Sequence, residues 1–106
     1  MLFNFKDELA ERLMRYASID SQSDEESFIT PSSEIQYDML NLLEKELKEF
    51  NLADIKITEY GTLIATVPGK IKGEAICFLA HVDTAPQFNA TVSYTHLTLP
   101  TIREVE

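Results

Sequence analysis

The chain has a single cysteine, Cys77, and no tryptophan. One thiol closes no internal disulfide, so a disulfide-stapled secreted scaffold is excluded as the source of stability. Cys77 lies within the apolar run Ala75–Ala80, where a lone cysteine packs as a small hydrophobe more often than it acts as a nucleophile. A reducing compartment is expected. Basic residues are also scarce, 9 Lys and Arg against 18 Asp and Glu, for a net charge of −9. That balance argues against nucleic acid or an anionic membrane as partner. No apolar run approaches the ~18 residues that a membrane span requires. The N-terminus lacks a basic segment leading into an apolar one, so no signal peptide is expected there and a cytoplasmic location is. Glycine occurs only 3 times and proline 4 times, and no internal repeat is visible.

What is present is ordinary for a small globular protein. The chain has 106 residues, 44% of them hydrophobic and 25% charged, enough for at most one modest domain. From Asn4 to about Ala17 the spacing predicts a helix. Asn4 is placed to cap it, and Asp7 and Glu8 suit its positive end. Phe5, Leu9, Leu13 and Tyr16 fall on one face, expected to be core. Ser18 to Ser32 reads as a surface loop. Its acids Asp24, Glu25 and Glu26 lack the glycine turn of a calcium loop, so solvated carboxylates are expected there rather than a cation site.

Ser33 to about Phe50 predicts a second helix, with Ser33 and Gln36 as a capping box. Ile35, Met39, Leu42, Leu43, Leu47 and Phe50 make its apolar stripe. Glu44 and Lys48 pair along the exposed side, and Asn51 ends the helix. Asp54–Glu59 and Thr62–Val67 predict two strands around a turn at Tyr60–Gly61. Ala75–Ala80 then reads as an interior strand buried on both faces. The order helix, helix, strand, strand, strand indicates an α/β fold with a mixed sheet.

The chemistry sits at the end of that third strand, in Ala80-His81-Val82-Asp83-Thr84-Ala85-Pro86. Side chains two apart on a strand share a face, so His81 and Asp83 point together. The carboxyl end of a strand is where open α/β sheets place their ligands. An imidazole beside a carboxylate suits a metal ligand and its orienting partner. Taken alone, a three-residue pattern fits a strand end that merely meets water better.

Three stretches change that balance. Arg15–Asp24, Thr30–Gln36 and Phe78–Phe88 resemble, in register, the tripeptide aminopeptidases of the peptidase T family. These are dinuclear-zinc exopeptidases related to aminoacylase and carboxypeptidase G. The resemblance runs from about Phe5 to about Asn89, roughly the first quarter of such an enzyme. It implies an incomplete N-terminal part of a zinc-exopeptidase catalytic domain at residues 1–90, with two helices followed by three strands of a mixed sheet. It implies that His81 binds one of two zinc ions and that Asp83 supports the site from beside the metal, the one catalytic assignment among these residues. The bridging aspartate, the paired glutamates, a further acidic ligand and a distant histidine of the family lie downstream of this strand, as does its lid or dimerisation domain. The expected substrate is a small peptide, the parent enzyme is open to homodimerisation, and the chain alone is expected to be inactive. A dipeptidase or N-acyl amino acid hydrolase of similar design stays open. So does a small non-catalytic α/β binding module.

Thr91–Thr101 departs from this pattern. It resembles the translation of a sequencing adapter, so 91–106 is expected to be a non-native tail and His96 is not counted as a ligand. On its residues alone, the tail is a threonine-rich strand with Val92, Tyr94 and His96 alternating.

Overall fold

A computed structural model describes residues 4–89. Its elements in order are α1 (Lys6–Ala17), α2 (Gln36–Glu49), β1 (Ala53–Ile57) and β2 (Leu63–Thr66). The expected tail and His96 lie outside the described residues. No helix among the described residues is long and apolar enough to cross a membrane.

At the start of α1, Asn4 Oδ1 accepts the Lys6 amide at 2.9 Å. Asp7 and Glu8 occupy the first turn and Arg15 the last, the arrangement the helix dipole favours. Two i, i+4 ion pairs lie along the surface, Glu8–Arg12 at 3.2 Å and Glu11–Arg15 at 3.6 Å. The expected core face is not buried. Phe5, Leu9 and Leu13 are each more than half exposed, and α1 has no buried residue. An apolar stripe is enclosed only where a second layer meets it, and the small sheet packs on α2 instead.

Helix α2 begins three residues later than its capping signal. Its first amides, those of Gln36, Tyr37 and Asp38, bond back to the carbonyls of Ser33, Glu34 and Ile35 in a tight turn. Ser33 does not form the expected capping box. Its hydroxyl donates to the Gln22 carbonyl, while the Gln36 amide group reaches both Ser32 Oγ and Ser33 Oγ at 3.1 Å. The other end follows expectation. Asn51 adopts φ 58°, its amide bonds Lys48 O at 3.0 Å, and Leu52 N bonds Leu47 O at 3.4 Å. Those two bonds form a Schellman motif. Lys48 pairs with Glu44 at 3.4 Å as the spacing implied. Met39 and Leu40 are the buried hydrophobic residues among those described, and Leu40 is the most enclosed, at 2% exposure.

Strands β1 and β2 form an antiparallel hairpin, with Lys56 opposite Ile64 and Ile57 opposite Leu63. A bulge between Ala53 and Lys56 contains Asp54 at φ 53°. Burial alternates along both strands, so Ala53, Ile55, Ile57, Leu63 and Ala65 form the shielded face. At the turn, Gly61 takes φ 77°, a left-handed conformation that suits glycine. A Cβ there would also come within 3.1 Å of the Pro31 ring. The Ser18–Ser32 loop thus rests directly on the hairpin turn.

The third strand does not form. Residues 75–80 make no ladder, and Ile76, Phe78 and Leu79 are 83%, 91% and 92% exposed. The sheet is therefore two-stranded and antiparallel, in place of the three-stranded mixed sheet expected. Cys77 is exposed, not packed inside. An interior strand requires backbone partners on both edges and cover on both faces. Two helices and one hairpin do not supply them. The architecture remains an incomplete α/β arrangement.

Candidate functional site

Chain pairing resumes just past the uncovered segment. Gln22 and Thr84 form a parallel bridge. Thr84 N donates to Ser21 O at 3.1 Å, and Ser23 N donates to Thr84 O at 2.9 Å. Side chains reinforce this bridge. Ser21 Oγ donates to Val82 O at 2.9 Å, Ser23 Oγ to Thr84 O at 3.1 Å, and Gln22 Nε2 to Pro86 O at 2.8 Å. The local sequence explains the shape of the loop. Asp20 Oδ1 accepts the Gln22 amide at 3.1 Å, an Asx turn that directs the Ser21 carbonyl and the Ser23 amide toward Thr84. Ser33 holds Gln22 from its other side. All three stretches of the sequence motif thus meet here.

His81 and Asp83 share one side of this tethered segment. His81 Nδ1 lies 3.1 Å from Asp83 Oδ1 and 2.9 Å from the Asp83 carbonyl oxygen. Both oxygens are acceptors, so a neutral ring carries its proton on Nδ1 and leaves the Nε2 lone pair unprotonated. The imidazole is 86% exposed. This is the tautomer and orientation in which a carboxylate prepares a histidine for a metal. Among the described residues, no group of three or more His, Cys, Asp or Glu side chains could hold a metal ion. His81 and Asp83 thus offer one candidate ligand with a carboxylate beside it, and no set of donors that would complete a metal site is gathered within residues 4–89. The acids Asp24, Glu25 and Glu26 are exposed and form no such group either.

His81 and Asp83 also border an open cleft of about 770 Å³, lined by Leu40, Leu43 and Leu47 of α2, by Phe50 at its C-terminal end and by Leu79. Arg12, Tyr16 and Glu46 line the same cleft. Sequence reasoning missed this last cluster. Glu46 is 7% exposed and accepts hydrogen bonds from Arg12 Nη1 at 3.0 Å, Arg15 Nε at 2.7 Å and the Tyr16 hydroxyl. Desolvation pushes its pKa up, but the bonds from Tyr16 and Arg15 and the two guanidinium charges outweigh that, and the net direction is down. The Tyr16 bond, working against desolvation and helped by Glu8, holds Arg12 above its ordinary value. Arg12 also stacks over Phe50, 5.1 Å from the ring centroid. The cluster joins α1 to α2. An acidic residue within a helix reads as solvent-facing, and its partners lie 30 to 34 residues away. Nothing local signals them.

No protein-family model matches the chain. Curated proteins do, and they are peptidases. The similarity is to peptidase T: that of an Exiguobacterium species (strain AT1b) is 53% identical over 85 residues, and that of Staphylococcus aureus (strain JH9) is 49% identical over 88. These alignments take in 78% and 81% of this chain. Over the aligned residues the chain is similar to peptidase T, and it spans 21% of the length of those relatives.

Proposed function

We propose that the chain is part of a zinc-dependent aminopeptidase that removes the N-terminal residue from tripeptides, with His81 as a zinc ligand and Asp83 as the group that orients it. The observation that carries this is the exposed His81 ring, held through Nδ1 by Asp83, in a chain about half identical to peptidase T over its aligned residues. Zinc, when bound, supplies a water of lowered pKa for attack on the scissile carbonyl. The contributions of this chain are narrower. Asp83 fixes the imidazole tautomer and raises its basicity as a donor. The Ser21–Ser23 bridge holds the segment that carries both residues. The chain alone, with one ligand position among its described residues, is expected to be inactive. The working enzyme is cytoplasmic, acts on small peptides, is open to forming a homodimer, and binds neither nucleic acid nor membrane, in line with its acidity.

The test is a chimera in which the aligned residues of this chain replace their counterparts in the Exiguobacterium peptidase T. The expected product hydrolyses tripeptides and releases the N-terminal amino acid. His81→Ala abolishes turnover and lowers zinc content, and Asp83→Asn lowers turnover by about 10–100-fold. A folded, zinc-loaded chimera that cleaves dipeptides or N-acyl amino acids but not tripeptides would point to a related hydrolase. A zinc-loaded His81→Ala chimera with full activity would remove the metal role.

A further inference from the structure

We infer that Ser21 is a positioning residue for the His81–Asp83 pair. Ser21 lies in a stretch rich in serine and acids that reads as solvated, yet it is 2% exposed. Its hydroxyl crosses 61 residues of sequence to donate to the Val82 carbonyl at 2.9 Å. Val82 is the residue between His81 and Asp83, so this bond pins the peptide that sets the relative direction of their side chains. The backbone of Ser21 acts at the next residue as well, accepting the Thr84 amide at 3.1 Å. Ser21 thus holds the chain on both sides of Asp83, and Ser23 and Gln22 extend the grip to Thr84 and Pro86. His81 itself is exposed, with no packing to fix its ring. Its orientation depends on the Asp83 contacts, and those depend on the backbone that Ser21 secures. A serine suits the task because its hydroxyl is a short donor that reaches the Val82 carbonyl from an enclosed position.

The direct test reads the imidazole in the 106-residue chain and needs no zinc. Ring-nitrogen NMR reports which nitrogen of the neutral ring carries the proton, with His96→Gln used to assign His81. The Nδ1–H form is expected to predominate in the unaltered chain and in Ser21→Thr, which keeps the hydroxyl. In Ser21→Ala it is expected to give way to a mixture. A Ser21→Ala chain with a native amide spectrum and an unchanged tautomer overturns the inference. If Ser21→Ala does not give a native spectrum, Ser23→Ala decides by the same reading: loss of the Nδ1–H preference supports the grip, and its persistence overturns it.

A second arm rests on the proposed peptidase reading. In the chimera, Ser21→Ala is expected to lower kcat by about 10–100-fold with KM unchanged, and Ser21→Thr to restore it. A Ser21→Ala chimera with full kcat counts against the inference. An unaltered chimera that is inactive counts against the peptidase reading alone, because the tautomer measurement still decides the role of Ser21.

Discussion

The body formed by α2 and the hairpin and the segment from Ile71 to Ala80 are both rich in apolar side chains, yet only the first encloses any. In the body, Leu40 is 2% and Met39 7% exposed. In the segment, Phe78 and Leu79 are more than 90% exposed. The difference lies in where each finds its hydrogen-bond partners. Helix α2 satisfies its own backbone, closes its C-terminus with Asn51 and Leu52, and receives the hairpin within the next 17 residues. An extended segment satisfies nothing by itself and waits on chain elsewhere. Hydrophobic content supplies a driving force, and pairing decides whether it can be used.

Substitutions can break this contrast, beginning with the largest expected effect. Leu40→Ala should destabilise the body by about 2–5 kcal/mol, read as a lower urea midpoint. A loss under about 1 kcal/mol would mean that the body is too loosely packed to feel a cavity. Glu46→Gln should cost about 1–2 kcal/mol, limited by the solvent exposure of its arginine partners. The folded pKa of Glu46 is depressed, so its contribution is complete above the ordinary Glu value of about 4.3 and is lost as pH falls through the lower folded value. Urea midpoints measured from pH 6 down to pH 3 should converge for the wild type and Glu46→Gln; parallel curves would show that the charge of Glu46 is not what joins α1 to α2. The smallest effect sharpens the comparison. Phe78→Ser with Leu79→Ser should stay within about 0.5 kcal/mol of wild type despite removing two large apolar groups. A larger loss would show that the segment is covered in solution.

The same contrast explains what the sequence made legible. The end of α2 at Asn51, the Glu44–Lys48 pair and the turn at Gly61 are decided within a few residues, and each is where its pattern placed it. The two strands lie within two residues of their expected limits. The burial of α1 and of Ala75–Ala80 depends on a second layer that local pattern cannot report. Leu40 was overlooked because the stripe chosen through Met39 and Leu43 passes beside it, whereas the packed face is turned one position further. At the site, period-two alternation anticipated that His81 and Asp83 would point together, and they do so without a strand ladder around them. The polarity of Ser21 pointed outward, and its burial follows from a carbonyl 61 residues away that needs a donor.

A Cβ at Gly61 would sit 3.1 Å from the Pro31 ring, so close that the ring would have to give by a few tenths of an ångström. Pro31 leads into Ser32 and Ser33, Ser33 holds Gln22, and Gln22 is bridged to Thr84. A side chain at Gly61 would therefore act like a shim under one end of a lever. Any shift of the proline would be passed on toward the bridge at Thr84, so the bare α-carbon of a turn residue helps keep in place a segment to which it makes no contact.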